Sequence, residues 1–198
     1  AKVLWGGLLK SRKSAALPGA KIYPPTLTNS DLANIKIAKE MGVTGVMQPF
    51  VRDHSDLERV KEALREAGAE DIRLFAKIEN MDGVRKLEKL LPAADEIVIA
   101  RGDLGNAVHL WDLPGVQRQI SEKCRAAGKP FMVVTQMLAS MERSPVPTRA
   151  EVNDIFHAVM DGAASIMVTG ETAVGDYPVE VIRYMVNTVR SAEKEENR

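Results

Sequence analysis

The sequence predicts an α/β fold in which short parallel strands alternate with amphipathic helices. Short apolar runs rich in Val, Ile and Met recur along the chain, and most are followed by a charged stretch with helical periodicity. These runs are too short and too continuous for amphipathic helices, so they indicate strands buried on both faces of a sheet. Polar residues stand at the end of strand after strand. That distribution is typical of a (βα)8 barrel, whose chemistry gathers at the carboxyl ends of its strands.

The predicted strands lie at Thr44–Phe50, Ile72–Ile78, Glu96–Ala100, Pro130–Thr135 and Ala164–Thr169. The predicted helices lie at Ser30–Met41, Asp56–Ala67, Gly83–Leu91, Val116–Ala127, Arg149–Asp161 and Val179–Lys194. Gly42, Gly68 and Gly128 come just after three of these helices, where a left-handed residue commonly ends a helix. Pro178 stands at the start of the last helix, where its missing N–H has no cost.

A doubly wound sheet is the other architecture with this alternation, and it should show a glycine-rich turn after its first strand. No such turn follows Phe50, so the barrel is favoured. Five strands do not close an eight-stranded barrel. The remaining strands belong to residues outside this sequence or to a second chain, or the sheet keeps open edges.

The first 20 residues differ in character from the rest. The segment AKVLWGGLLKSRK has apolar residues around Gly6-Gly7 and is interpreted as a β-hairpin or its remnant. We therefore expect residues 1–20 to be the tail of another domain and residues 21–198 to be the barrel portion.

Composition excludes several classes of protein. Lys and Arg number 27 and so do Asp and Glu, so no net charge attracts the chain to nucleic acid or anionic lipid. The single cysteine, Cys124, excludes an internal disulfide framework and fits a reducing compartment. No apolar run approaches the roughly 20 residues that span a bilayer, and no signal-peptide pattern opens the sequence. A cytoplasmic globular domain is expected.

Lys77 and Glu79 end the second predicted strand within the segment AKIEN. Residues two apart in a strand point to the same side, so a lysine and a carboxylate meet at the mouth of the sheet. Such a pair can hold an anionic oxygen and a divalent cation. A structural ion pair is the alternative interpretation of this motif alone.

Arg101-Gly102-Asp103-Leu104-Gly105 follows the third predicted strand. Glycines flanking an aspartate let the backbone approach a ligand and leave amide N–H groups free for an anion. The Asp103 carboxylate would suit Mg²⁺. The alternative is a glycine-rich turn in which Asp103 caps a helix.

Thr135 ends the fourth strand, and Thr169 with Glu171 ends the fifth. A single threonine at a strand end is commonly just a β-branched residue completing the strand. The functional interpretation rests on the number of such strand ends, because four of the five strands carry polar side chains at the same end.

Five longer motifs give the chain a resemblance to the pyruvate kinase family, and they occur in that family's order and spacing. They are AKIEN, IARGDLG, VVTQMLASM, SPVPTRAEVND and VTGETAVGDYPVE, and the resemblance runs from about residue 8 to residue 193. It implies a (βα)8 barrel of pyruvate kinase type, of which this chain supplies about the last five βα units. Residues 1–20 would then be the remnant of the family's lid domain and its hinge.

The resemblance also implies roles for the site residues. Lys77 would stabilise charge on the transferring phosphoryl group and the enolate, and Glu79 and Asp103 would bind Mg²⁺ or Mn²⁺. Backbone N–H groups around Arg101, Gly102 and Asp103 would hold the substrate carboxylate. The remaining assignments are Thr135 over the carbon that gains a proton, Thr169 and Glu171 in the polar shell for that proton, and Lys13 at a nucleotide phosphate.

The partners implied are phosphoenolpyruvate or pyruvate, ADP or ATP, K⁺ with its ligands mostly outside this chain, and a second copy in a homo-oligomer. Neither nucleic acid nor membrane is expected as a partner. The sequence departs from the family pattern at Gln48-Pro49 in place of an Ala-Ser pair, at Thr169 in place of a serine, and at Asn106–Trp111. These departures affect loop conformation and proton delivery more than metal binding.

Three functions remain open from the sequence. The first is a phosphotransferase that forms pyruvate and ATP from phosphoenolpyruvate and ADP. The second is a metal-dependent lyase or decarboxylase of an oxo acid, since Lys77, Glu79 and Asp103 would polarise an enolate without any nucleotide. The third is a non-catalytic barrel module that assembles with a partner along its open edges.

Overall fold

The structure is a computed structural model that describes residues 2–8, 11, 17 and 23–196. Within residues 23–196 it has five strands: β1 (Gly45–Gln48), β2 (Arg73–Ile78), β3 (Glu96–Ala100), β4 (Phe131–Val134) and β5 (Ser165–Met167). The same range holds α1 (Asn29–Ala38), α2 (His54–Glu66), α3 (Met81–Arg85), α4 (Leu87–Leu90), α5 (Arg101–Ala107), α6 (Leu113–Ala126), α7 (Arg149–Met160), α8 (Gly170–Ala173) and α9 (Pro178–Glu196). A 3₁₀ turn spans Ala139–Glu142.

The strands form one parallel sheet in the order β1-β2-β3-β4-β5. Every strand lies inside a run that the sequence assigned to a strand, and consecutive strands are neighbours in the sheet. This arrangement is five successive βα units of a (βα)8 barrel, so the predicted fold class is confirmed. Among the described residues, β1 and β5 are the edges of the sheet.

The two faces of the sheet bury different amounts of apolar surface. Leu74, Ala76 and Ile78 of β2 belong to the main core, which lies between the sheet and its helices. On the opposite face a small cluster forms around Val98, Ala100 and Val134. The side chain of Lys77 points to this second face, because it alternates with its buried neighbours Ala76 and Ile78.

Helix ends follow the local chemistry. Thr28 caps α1 and Thr148 caps α7, each in a capping box with an acidic residue three positions later. Gly42, Gly68 and Gly128 have φ of 74°, 63° and 60°, so the predicted left-handed positions after α1, α2 and α6 are confirmed. Pro178 is the first residue of α9, also as predicted.

The structure corrects three details. The helix predicted at Gly83–Leu91 is two short helices, α3 and α4, which meet at Lys86. The segment Arg101–Gly105, for which a glycine-rich turn was the alternative interpretation, lies in α5, which begins directly at the end of β3. A short helix, α8, follows β5 where no helix was expected. The hairpin or hairpin remnant predicted within residues 1–13 stays a prediction, because only residues 2–8 and 11 of this segment are described.

The division at residue 20 stays a prediction, because most of residues 1–20 lie outside the described part of the chain. None of the helices in the described part combines the length and hydropathy that a membrane crossing requires.

Candidate active site

Lys77 and Glu79 form an ion pair at the carboxyl end of β2. Nζ of Lys77 lies 2.8 Å from Oε1 of Glu79, and the side chain of Glu79 is only 2% exposed whereas that of Lys77 is 26% exposed. The prediction that the two side chains share one side is therefore confirmed. The pair places a positive charge at the carboxyl end of the sheet, next to a buried carboxylate.

The second oxygen of Glu79 is held by the neighbouring strand. The backbone N–H of Phe50, just after β1, donates to Oε2 of Glu79 at 2.7 Å. Phe50 has φ of 50°, an uncommon conformation for an aromatic residue, and this turns the chain sharply after β1. The carboxylate is thus fixed at both oxygens, by Lys77 and by the turn after β1.

The segment Arg101–Asp103 forms the first turn of α5, which starts where β3 ends. The first N–H groups of an α-helix have no partner inside the helix, so the backbone amides of this turn are donors for a ligand. Ala100 precedes the helix and supplies no side-chain cap. Asp103 lies inside the first turn, with its side chain exposed, and is not the cap that the alternative interpretation assigned to it.

The side chain of Arg101 is engaged in the fold. Its guanidinium donates 2.8 Å to Asp154 of α7 through Nη1 and 2.7 Å to the backbone carbonyl of Thr135 through Nη2. Only 13% of the side chain is exposed. Arg101 therefore offers a ligand its backbone N–H, while its charge joins α7 to the end of β4.

Thr135 follows β4 in a strained conformation. Its φ is 84° and that of Gln136 is 54°, and a β-branched residue rarely adopts this region. A Cβ on Gly102 would lie 3.0 Å from Cγ2 of Thr135, so a larger residue there would push the threonine side chain aside by a few tenths of an ångström. The structure thus brings Thr135 against the first turn of α5, as a shared site requires. The predicted strand ends one residue earlier than expected, at Val134.

Glu171 joins the ends of β4 and β5. It is 2% exposed, accepts from the backbone N–H of Leu138 at 3.2 Å through Oε1, and accepts from that of Thr169 at 2.8 Å through Oε2. Thr169 is exposed and lies two residues beyond the end of β5. The observed contacts of Glu171 hold the two loops together.

The two residues that the sequence assigned to a divalent metal, Glu79 and Asp103, have the donor chemistry that Mg²⁺ prefers. Glu79 and Asp103 supply hard carboxylate oxygens from the ends of neighbouring strands, and Mg²⁺ commonly takes one or two carboxylates with water and substrate completing its shell. Among the described residues no group of three or more His, Cys, Asp or Glu side chains is arranged around a metal position. A site built from these two carboxylates would therefore depend on substrate oxygens.

The ends of β2, β3, β4 and β5 carry Lys77 with Glu79, the turn Arg101–Asp103, Thr135, and Thr169 with Glu171, in that order across the sheet. Lys13 lies outside the described residues. Sequence reasoning missed Asp154 and the amides of Phe50 and Leu138. Asp154 is 53 positions from Arg101 and the amides carry no side-chain signal, so no local pattern indicates them.

Comparisons with known proteins identify the family. The family model described as "Pyruvate kinase, barrel domain" matches residues 1–182. The chain is 42% identical over 193 residues to a protein named pyruvate kinase from Bacillus licheniformis, covering 98% of this chain and 33% of that protein. It is 42% identical over 183 residues to one from Geobacillus stearothermophilus, covering 92% of this chain and 31% of the relative. A relative of the same name from Dictyostelium discoideum is 42% identical over 185 residues, covering 93% of this chain and 36% of the relative. The chain thus spans about a third of the length of these curated relatives.

Proposed function

Because the chain belongs to the pyruvate kinase family, we propose that it supplies the phosphoenolpyruvate and metal side of a site that transfers a phosphoryl group to ADP. The products would be pyruvate and ATP. The observation that carries the proposal is the Lys77–Glu79 pair at the end of β2 beside the helix turn at the end of β3.

Lys77 is proposed to stabilise negative charge in the reaction. Phosphoryl transfer depends mainly on positioning and on neutralising the charge that develops on the transferring group and the leaving oxygen. As the bond between phosphorus and the enol oxygen breaks, the leaving group becomes the enolate of pyruvate. The partly exposed ammonium group of Lys77 would face the charge on this enolate, and the contact with Glu79 keeps the ammonium group in place.

Glu79 and Asp103 are proposed to hold the divalent cation, Mg²⁺ or Mn²⁺. When bound, that ion would act as a Lewis acid that offsets charge on substrate oxygens. The hydrogen bond from Phe50 and the ion pair with Lys77 fix the Glu79 carboxylate before the ion arrives, which lowers the cost of ordering this ligand.

The first turn of α5 is proposed to bind the substrate carboxylate. Backbone N–H groups around Arg101, Gly102 and Asp103 are donors at a helix N-terminus, where negative charge is favoured. Thr135 lies against Gly102 and is proposed to face the carbon of the enolate that takes up a proton. Arg101 fixes the carbonyl of Thr135 and so positions this threonine indirectly.

Thr169 and Glu171 are proposed to complete the polar shell that delivers this proton. Glu171 would act by positioning, because both of its oxygens accept backbone hydrogen bonds. Thr169 is exposed at the same end of the sheet, where water reaches the site.

The wider family assignment adds partners to the proposal. ADP or ATP would bind mainly through residues outside this chain, with Lys13 at a nucleotide phosphate. The ligands of K⁺ would also lie mostly outside this chain. A homo-oligomer and a cytoplasmic location belong to this proposal as well.

The experiment is an assay of pyruvate formation from phosphoenolpyruvate and ADP, with and without Mg²⁺ and K⁺, by a full-length protein that carries this chain. We expect activity that requires both ions and that falls by roughly 10²-fold or more when Lys77 is changed to Met, since the charge at the leaving oxygen is then uncompensated. A folded protein without activity would reject the proposal. Decarboxylation of oxaloacetate without ADP would indicate the oxo-acid lyase instead.

The open edges of the sheet favour a second candidate function, which is assembly with a partner. Within the described residues β1 and β5 each lack a neighbour on one side, and exposed parallel edges readily pair with another strand. Light scattering on the purified chain tests this function. A monomer at all concentrations counts against assembly between copies.

A further inference from the structure

A cavity of about 380 Å³ lies at the turn after β1 and is lined by residues that include Phe50 but neither Lys77 nor Glu79. The segment that leads into α1 forms one wall, and the residues after β1 and β2 form the others. Its volume is within the usual range for small-molecule sites. None of the roles proposed above uses it.

The walls of this cavity are flat and largely apolar. The rings of Tyr23 and Phe50 line it and are 63% and 52% exposed, and the guanidinium carbon of Arg52 lies 5.8 Å from the centre of the Tyr23 ring. Pro24, Pro25 and Pro49 add rigid apolar surface beside them. Prolines and exposed rings lose little conformational freedom on binding, so they favour a planar ring as ligand.

The charges around the cavity cancel in pairs. Arg52 binds Asp56 through two hydrogen bonds, at 3.0 Å from Nε and 2.6 Å from Nη2. Asp82 lies 3.4 Å from Nη1 of Arg85, just outside the cavity. A ligand with a net charge would therefore lose its hydration without meeting an uncompensated opposite charge.

Two of the residues that line the cavity keep a hydrogen-bonding group available. The bonds from Nε and Nη2 leave Nη1 of Arg52 without a partner among the described residues. Nε2 of Gln48 donates to the backbone oxygens of Thr26 and Pro49, both at 3.2 Å, so the orientation of this amide is fixed. Its Oε1 is then an acceptor. The cavity thus presents both a donor and an acceptor near its apolar walls.

We propose that this cavity binds an uncharged aromatic molecule that carries a carboxamide-type group, with its ring against Tyr23 and Phe50. The carbonyl of the ligand accepts from Nη1 of Arg52, and its N–H donates to Oε1 of Gln48. Phe50 is common to this cavity and to the Lys77–Glu79 site, but Lys77 and Glu79 do not line the cavity, and its existence does not depend on the proposed reaction.

The test uses three isosteric probes, benzamide, benzoate and benzamidine, which share a ring and differ in charge. Each is titrated into the folded, isotope-labelled chain while the backbone amide signals of Phe50 and Arg52 are followed by NMR. We expect saturable binding of benzamide in the roughly millimolar range for so small a ligand. Benzoate and benzamidine should each bind at least roughly 3-fold more weakly, because a charge must be desolvated without compensation.

Two substitutions locate the site and test the charge balance. Tyr23→Ala should weaken benzamide binding by roughly 3- to 10-fold, the usual effect of losing one aromatic contact. Asp82→Asn leaves Arg85 unpaired and should raise the affinity for benzoate relative to benzamide by roughly 2- to 5-fold. Trp111→Ala is the matched control, since Trp111 is 78% exposed but does not line the cavity.

Each outcome decides the proposal. The absence of saturable benzamide binding overturns the site, and so does binding that Tyr23→Ala leaves unchanged in a variant whose amide spectrum is native. Equal or tighter binding of benzoate or benzamidine overturns the class of ligand. If Tyr23→Ala does not fold, Asp82→Asn decides the matter, because an unchanged benzoate preference contradicts the charge argument.

Discussion

Nη2 of Arg101 donates a 2.7 Å hydrogen bond to the backbone carbonyl of Thr135. The same guanidinium pairs with Asp154 of α7 at 2.8 Å, so the first residue of α5 holds α7 and the strained turn after β4 in one arrangement. This contact connects the α5 turn to Thr135, the two parts of the site that would meet the substrate.

Asp154→Asn should destabilise the fold by about 1–3 kcal/mol, because Arg101 is largely buried and would lose its charged acceptor. Chemical denaturation of the folded chain measures the change in the free energy of unfolding. Asp176→Asn is the control. Asp176 pairs with Arg143, but the two side chains are 54% and 71% exposed, and such surface pairs contribute about 0–1 kcal/mol. Equal effects of the two substitutions would contradict this role of Arg101.

Gly102→Ala should lower kcat/KM for phosphoenolpyruvate by roughly 3- to 10-fold, because the new methyl group would press on Cγ2 of Thr135 and displace it. The assay uses a full-length protein that carries the chain. Gly115→Ala in α6 is the matched control, since nothing lies within 4 Å of its added Cβ. That change should raise stability by up to about 1 kcal/mol and leave activity unchanged. Identical kinetics for both variants would show that Thr135 does not need its observed position.

Stability should fall in acid partly through Asp56. Burial alone would raise the pKa of Asp56, but hydrogen bonds from Arg52 and Thr26 outweigh it and lower the pKa from 3.8 to about 2. A folded pKa below the unfolded one stabilises the protein above about pH 4, and that contribution is lost as the pH falls towards 2. The difference in unfolding free energy between wild type and Asp56→Asn should therefore shrink by about 2 kcal/mol between pH 5 and pH 2. A difference independent of pH would contradict the prediction.

Cys124 should resist modification while the chain is folded. Burial raises the pKa of its thiol from 9.0 to about 12, despite the nearby charge of Lys129. The thiolate is the reactive form, so alkylation by iodoacetamide at pH 8 should be roughly 10³-fold slower than for a thiol of pKa 9. Labelling followed by mass spectrometry tests this, with the unfolded chain in denaturant as the fast reference. Rapid labelling of the native chain would show that the helix α6 opens more readily than its packing indicates.

The strand pattern was predictable because each strand is a short apolar run bounded by charged residues. All five runs contain a strand. Gly42, Gly68 and Gly128 mark the ends of three helices and Pro178 marks the start of α9, in each case through backbone conformation alone. At Arg101–Gly105 the alternative interpretation, a glycine-rich turn, was wrong. Two glycines favour a turn by local propensity, but packing of Leu104 in the core and the contact between Gly102 and Thr135 stabilise a helix there.

The candidate site likewise has features that the sequence predicted and features that it did not. The juxtaposition of Lys77 and Glu79 follows from strand periodicity and was correctly predicted. The positive φ of Thr135, the partnership of Arg101 with Asp154 and the binding of Phe50 N–H to Glu79 arise from contacts distant in sequence. No periodicity or local motif encodes such contacts, so only the folded chain reveals them.

The most direct test of the central claim is a titration of the folded chain with Mn²⁺ in the presence of phosphoenolpyruvate, in which free Mn²⁺ is measured by electron paramagnetic resonance. Glu79→Gln should weaken Mn²⁺ binding by at least roughly 10-fold, because loss of even an outer-shell partner of a metal site typically costs roughly 10- to 100-fold in affinity. Glu122→Gln, which changes an exposed carboxylate of α6, should leave the affinity unchanged. Wild-type and Glu79→Gln chains with the same Mn²⁺ affinity would contradict the assignment of this site.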